Sequence, residues 1–207
     1  MSSLEILSNS TSSSNSVTIL GVLASGSGSN LEAIANAIAK GQLQAQIAVV
    51  IYNESDAFAK QRAEKFGIPA ILVNHRDYKS RKDLDRSIIE LLNQHNVDLV
   101  IMAGWMRIVT QVLIDAFPER ILNIHPSLLP SFKGIHAIEQ AFNYGVKITG
   151  CTVHLLSLEV DSGKILKQAA VPLLANDTLE DLQKRIQVQE HIIYPLAIAE
   201  YSQTLAS

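Results

Sequence analysis

Four times between residues 16 and 117, a short β-branched apolar run gives way to a segment whose apolar residues recur at helical spacing. "SVTILGVLA" precedes "NLEAIANAIAKG", "QIAVVIYN" precedes "DAFAKQRAEKFG", "AILVN" precedes "RKDLDRSIIELLNQHN", and "VDLVIMAG" precedes "TQVLIDAF". Strands joined through helices run parallel, with right-handed crossovers. Runs such as "IAVVI" and "DLVIMAG" are apolar on both faces, as strands covered by helices must be. The expected fold is α/β: a single-domain, open, mostly parallel twisted sheet with helices on both faces. After Gly134 the pattern gives a helix ("HAIEQAFNYG") and two β-rich stretches ("KITGCTVHLLSL" and "KILKQAAVPL"). A last helix follows from about Thr178 to Tyr201, with an Asn or Asp of "NDTLED" as its cap.

A chain of 207 residues supports one sizeable core, and neither an internal repeat nor a linker marks a second domain. Residues 17–207 read as the folded unit. Residues 1–16, "MSSLEILSNSTSSSNS", are too serine-rich to bury surface and read as a disordered leader rather than a secretory signal. A net charge of -3 gives no reason to expect nucleic acid or a membrane surface as partner, and no apolar run approaches the roughly 20 residues that span a bilayer. The single cysteine, Cys151, excludes an intrachain disulfide and suits a reducing cytoplasm.

Ligands of open α/β sheets bind beyond the carboxyl ends of the strands, which directs attention to Ser25–Asn30, Asn53, Gly104–Ile108 and the residues from Asn123 onward. "SGSGSN" lies between the first strand and its helix, where free N–H groups and the helix dipole favour an anion. It is neither a P-loop nor a dinucleotide fingerprint, because no "GK[ST]" follows and Leu31 stands at the third glycine position. A phosphate seat and a tight turn that merely needs glycines both fit.

In "NIHPSLLPSFKG", Asn123 and His125 are two residues apart at the end of a predicted strand, so both side chains point the same way. Pro126 and Pro130 hold the exit extended. An amide N–H and an imidazolium N–H aimed at one point make an oxyanion hole, the device that stabilises a tetrahedral acyl-transfer intermediate. Taken alone, the pair is more economically explained by His125 bonding a backbone carbonyl and Asn123 capping the turn. The loop "SLEVDSG" adds Glu159, Asp161 and Gly163, and an acid beside His125 would complete an acid–base pair. His154 reads as a strand residue supporting that site, and His75, His95 and His136 as solvated residues or helix caps. No cluster has metal-ligand spacing, and neither a "GxSxG" elbow nor an accessible cysteine supports covalent catalysis.

Together "LASGSGSNLEAI", "AGWMRI", "NIHPSLLPSFKGIHA", "GCTVHLLSLEVDSG" and "QVQEHIIYP" resemble the phosphoribosylglycinamide formyltransferases (glycinamide ribonucleotide transformylases), folate-dependent enzymes of purine biosynthesis with a Rossmann-like fold. The resemblance covers nearly everything from about Val17 to Tyr201. It implies transfer of a formyl group from 10-formyltetrahydrofolate to the amine of glycinamide ribonucleotide, the folate being a co-substrate, with no metal and no permanently bound cofactor. The family's catalytic trio falls on Asn123, His125 and Asp161. Its phosphate turn falls on Gly28, Ser29 and Asn30, and its ribonucleotide-contacting acid on Glu190. Met106, Arg107 and Ile108 would line the folate site together with Asn123, and Arg81 would meet the glutamate tail. A cis bond is implied between Leu129 and Pro130. Trp105 stands in place of the usual Phe, and Lys133 where many members have Pro. The partners implied are small molecules, with room for a homodimer. Two related enzymes are less well matched: a formyltetrahydrofolate deformylase would carry an amino-terminal regulatory domain, and a methionyl-tRNA formyltransferase a further carboxy-terminal domain and a basic RNA-binding surface. A nucleotide-binding module without catalysis would have no use for the trio.

Overall fold

The structure, a computed structural model, describes residues 17–205, so the expectation of a disordered leader falls outside the described residues. The alternation read from the sequence becomes β1 (Thr18–Ala24), α1 (Ser29–Ala39), β2 (Ala45–Tyr52), α2 (Ala59–Lys65), β3 (Ala70–Leu72), α3 (Arg81–Gln94), β4 (Leu99–Met102), α4 (Gln111–Ala116) and β5 (Ile121–His125). Then come α5 (Ala137–Tyr144), β6 (Ile148–Leu155), β7 (Ile165–Pro172) and α6 (Leu179–Leu205). One sheet has the order β3-β2-β1-β4-β5-β6-β7. Every pair from β3 to β5 is parallel, whereas β5–β6 and β6–β7 are antiparallel.

Alternating side chains send the strands' apolar residues into two cores. Leu20, Val22, Leu99, Ile101, Leu122 and Ile124 pack on one face with α1, α2 and α6. Leu23, Val49, Val100, Met102 and Ile121 pack on the other with α3 and α4. On that second face the short helix α4 is the last cover before the β5–β6 half, which is roofed by loops. Polar side chains there lie under turns rather than under a helix, and the candidate site occupies this place.

The last helix departs from its expected form at both ends. Its cap is Thr178 rather than Asn176 or Asp177: the Asp181 N–H donates to Thr178 Oγ1 at 3.1 Å while Asp181 Oδ2 accepts from Thr178 N at 3.0 Å, a reciprocal box. Asp177 is instead held by Arg185 (2.6 and 2.7 Å), which keeps its carboxyl down at about 2. The helix continues to Leu205 and accommodates Pro195.

Tyr194, fully buried on α6, places its hydroxyl 3.1 Å from the Met102 carbonyl and 2.9 Å from the Leu122 carbonyl. One hydroxyl proton thus serves two strand carbonyls, and it fastens α6 beside the peptide that leads into Asn123. Tyr194→Phe keeps the ring and removes the donor, so it should lower folding stability by about 1–2 kcal/mol. Urea unfolding with an unchanged m-value would read that loss, and an unchanged midpoint would contradict it.

Candidate functional site

Because Asn123 and His125 lie two apart on β5, both face the loop-covered side of the sheet. The antiparallel partner β6 puts His154 directly opposite Asn123. Asn123 Nδ2 lies 3.1 Å from His154 Nε2, and His154 Nδ1 lies 2.9 Å from the Leu155 carbonyl. A carbonyl only accepts, so Nδ1 carries the proton and Nε2 offers its lone pair to the Asn123 amide. Burial, the largest influence, lowers the His154 pKa against the opposing pull of the Leu155 carbonyl and the Asp161 carboxylate, so the ring is held neutral. His154 therefore orients the Asn123 amide and leaves its second N–H free to donate.

His125 Nε2 donates to the Phe132 carbonyl at 2.8 Å, which leaves Nδ1, 3.3 Å from Asp161 Oδ2. The sequence suggested an imidazolium N–H directed at a reacting atom. In the structure one ring nitrogen is committed to the backbone, and the working side of the ring is the Nδ1 that it shares with Asp161. Asp161 also accepts from the Gly134 N–H at 2.8 Å and lies 3.7 Å from His154 Nε2. Its backbone is left-handed, φ 51°, an uncommon state for Asp that the surrounding contacts must maintain. Gly163 allows the same loop to close, since a Cβ there would overlap the Leu155 carbonyl. Lys133 joins the two loops through Ser162 Oγ (2.5 Å) and Glu159 (3.5 Å). The segment between His125 and Lys133 includes the cis Leu129–Pro130 bond and is tied to the sheet by Thr152, whose hydroxyl donates to the Ser127 carbonyl and accepts from the Leu129 N–H.

At the end of β1, Gly28 has φ 71° and its α-carbon faces Ala59 so closely that any Cβ would clash with the α2 backbone. The N–H groups opening α1 have no side-chain cap. Asn30 Nδ2 donates to the buried Glu190 at 3.0 Å, and Gln187, one turn earlier on α6, donates to Ser29 Oγ at 2.9 Å. The buried Asn30 Oδ1 has no hydrogen-bond partner among the described residues. Gly28, Ser29, Asn30 and Glu190 are thus brought together. Gln187 opens the motif "QVQEHIIYP", yet the sequence alone assigns it no role, because only the fold brings it to Ser29. β4 lies between β1 and β5, so the turn and the trio stand roughly two strand spacings, about 10 Å, apart.

Between them runs the segment after β4. The Met106 N–H donates to Ser25 Oγ at 2.8 Å, and Ser25 N donates to the Gly104 carbonyl at 3.0 Å. Trp105 and Val109 are buried, Arg107 is half-buried, and Met106 and Ile108 are exposed. Arg81 opens α3 at the surface, one turn before the buried Asp85, which accepts from Thr110 N at 2.6 Å. Among the described residues no hydrogen bond or ion pair links Arg81 to Met106, Arg107 or Ile108. Of the three histidines expected in solvent or at helix caps, His95 and His136 sit at caps, whereas His75 is half-buried against Asn53 (3.4 Å) and Glu54 (3.7 Å). Burial pushes the Cys151 thiol up to about 12, so it is inert as a nucleophile. Among the described residues no group of three or more His, Cys, Asp or Glu side chains is arranged to hold a metal, and no helix is long and apolar enough to cross a membrane.

Residues 19–198 match the formyl transferase family. The phosphoribosylglycinamide formyltransferase of Bacillus subtilis is 40% identical over 86% of this chain and 92% of its own length. The human trifunctional purine biosynthetic protein adenosine-3 is 44% identical over 86% of this chain, which spans only 18% of that protein's length. The crystal structure of glycinamide ribonucleotide transformylase 1 from Symbiobacterium toebii superposes with a TM-score of 0.89 at 47% identity, covering 91% of this chain and 89% of that one.

Burial holds the Glu190 carboxyl above its ordinary 4.5, with the Asn30 amide pulling the other way. A carboxyl raised in the folded state binds more protons there than in the unfolded chain, so stability falls as pH climbs past the unfolded value until the folded group has ionised. Glu190→Gln keeps an acceptor for Asn30 and removes that loss. The variant should be more stable than wild type at pH 8 and equal to it at pH 4 in urea unfolding. A wild type that gains on the variant with rising pH would contradict the buried-acid assignment.

Proposed function

We propose, from the premise that the chain belongs to the formyl transferase family, that it moves a formyl group from 10-formyltetrahydrofolate to the amine of glycinamide ribonucleotide, forming formylglycinamide ribonucleotide and tetrahydrofolate in purine biosynthesis. The observation that carries this reading is the convergence of Asn123, His125 and Asp161 at the end of β5, two strands from an uncapped helix start that suits a phosphate.

In the proposed reaction the substrate amine attacks the formyl carbon, so a new C–N bond forms and the carbonyl oxygen becomes anionic. The free N–H of Asn123 donates to that oxygen, and His125, protonated at Nδ1, supplies the second donor. Asp161 lies against the same nitrogen, balances the imidazolium and receives the proton shed by the attacking amine. Return of that proton to the folate nitrogen lets the C–N bond to tetrahydrofolate break. No redox step occurs, and the folate is consumed in each turnover, so the chemistry calls for neither a resident cofactor nor a metal.

The acceptor's phosphate is assigned to the N–H groups that follow Gly28, at Ser29 and Asn30, and its ribose to Glu190. The donor is assigned to Met106, Arg107 and Ile108, with Asn123 beneath its formyl group and Arg81 at its anionic tail. A reducing cytoplasm suits a chain whose one thiol is buried.

Asn123→Ala removes one oxyanion donor and should cost on the order of 10²–10³ in turnover. Asp161→Asn retains an acceptor for Gly134 and should cost at least about tenfold. Tetrahydrofolate release, followed with and without glycinamide ribonucleotide, reads both. Near-wild-type rates for the two folded variants would overturn the assignment.

A further inference from the structure

Helix α3 buries Leu84, Ile88 and Leu92 at successive four-residue steps, and beside that apolar row stands a carboxylate, Asp85, only 1% exposed. An acid in such a place is expensive unless its oxygens are satisfied. Thr110 supplies one hydrogen bond: its N–H donates to Asp85 Oδ2 at 2.6 Å. No cation among the described residues pairs with Asp85. Burial raises its pKa, and the Thr110 contacts pull it back.

Thr110 ends the segment after β4. The other end is held by Ser25, whose hydroxyl oxygen accepts from the Met106 N–H at 2.8 Å. Trp105 and Val109 are buried at 7% and 8%, and between these anchors Met106 and Ile108 are 75% and 59% exposed. Two apolar side chains are therefore presented outward on a backbone clamped at both ends. Such an arrangement loses free energy in water and suits a flat apolar ligand laid across it.

We propose that Asp85 is a positioning residue: its grip on Thr110 fixes the Met106–Ile108 backbone in the form that receives the formyl donor. This rests on the reading of that segment as the folate seat. The carboxylate touches no substrate, and it acts through the loop.

Asp85→Leu preserves shape and apolar packing but ends the grip, whereas Asp85→Asn keeps an oxygen that can accept from Thr110. In steady-state assays Asp85→Leu should raise KM for 10-formyltetrahydrofolate by about tenfold or more and leave KM for glycinamide ribonucleotide within about twofold, with Asp85→Asn recovering most of the loss. The chain's single tryptophan, Trp105, gives an independent readout: its emission in the substrate-free protein should move to the red in Asp85→Leu and not in Asp85→Asn. Should Asp85→Leu not fold, Asp85→Ser, too short to reach Thr110, carries the same expectation. A donor KM unchanged in the folded variant, or both KM values rising together, overturns the proposal. Absence of ribonucleotide-dependent transfer in the wild type refutes the functional reading instead. The clamp then stands or falls on Trp105, and an emission unmoved by Asp85→Leu would refute it as well.

Discussion

The reversal of strand direction between β5 and β6 is the constraint on which the site depends. Four parallel pairs carry the sheet from β3 to β5, and the chain then passes through α5 and returns as β6 in the opposite direction. Antiparallel pairing sets His154 opposite Asn123 and Thr152 opposite His125. Three contacts of the site depend on that register. His154 orients the Asn123 amide, Thr152 ties down the cis-proline turn, and the loop leaving β6 returns with Asp161 against His125. Slipping the pairing by one residue would turn His154 and Thr152 to the opposite face and dismantle all three.

Three of the buried or nearly buried acids, Asp161, Asp85 and Glu190, solve the problem of desolvated charge in three ways. Asp161 has a histidine ring and a backbone N–H. Asp85 has a single threonine. Glu190 has one amide donor and is pushed toward its neutral form, and its charge in turn helps raise the Tyr194 and Cys151 pKa values. A fold needs none of these for its own sake, because apolar residues of similar volume pack at lower cost. Each lies beside a segment that the proposed reaction uses: the trio, the donor loop and the phosphate turn.

What the sequence made legible is what periodicity encodes locally. Every strand and helix falls within a few residues of its expectation, because each apolar run and each helical stripe is read within one continuous segment. The proposed trio was carried by the resemblance, since the Asn-X-His spacing alone fitted a turn and a carbonyl bond as well, and the structure does give His125 such a bond to Phe132. Contacts between distant segments were not legible: Asn123 with His154 spans 31 positions, Asp85 with Thr110 spans 25, and Ser29 with Gln187 spans 158. No motif announces such partners, since only the fold decides who meets. The cap of α6 was misread for a related reason. Asn176, Asp177 and Thr178 all have capping chemistry, and the choice fell to Thr178 once Arg185, a turn and a half into the helix, claimed Asp177.

The central claim is that the β5–β6 site hands a formyl carbon to a ribonucleotide amine rather than to water. The most direct measurement follows that carbon: carbon-13 NMR of the protein with 10-formyltetrahydrofolate labelled in the formyl group and unlabelled glycinamide ribonucleotide. The label should leave the folate only when the ribonucleotide is present and reappear in the formamide of the product. Label collecting as free formate, at a rate indifferent to the ribonucleotide, would contradict it.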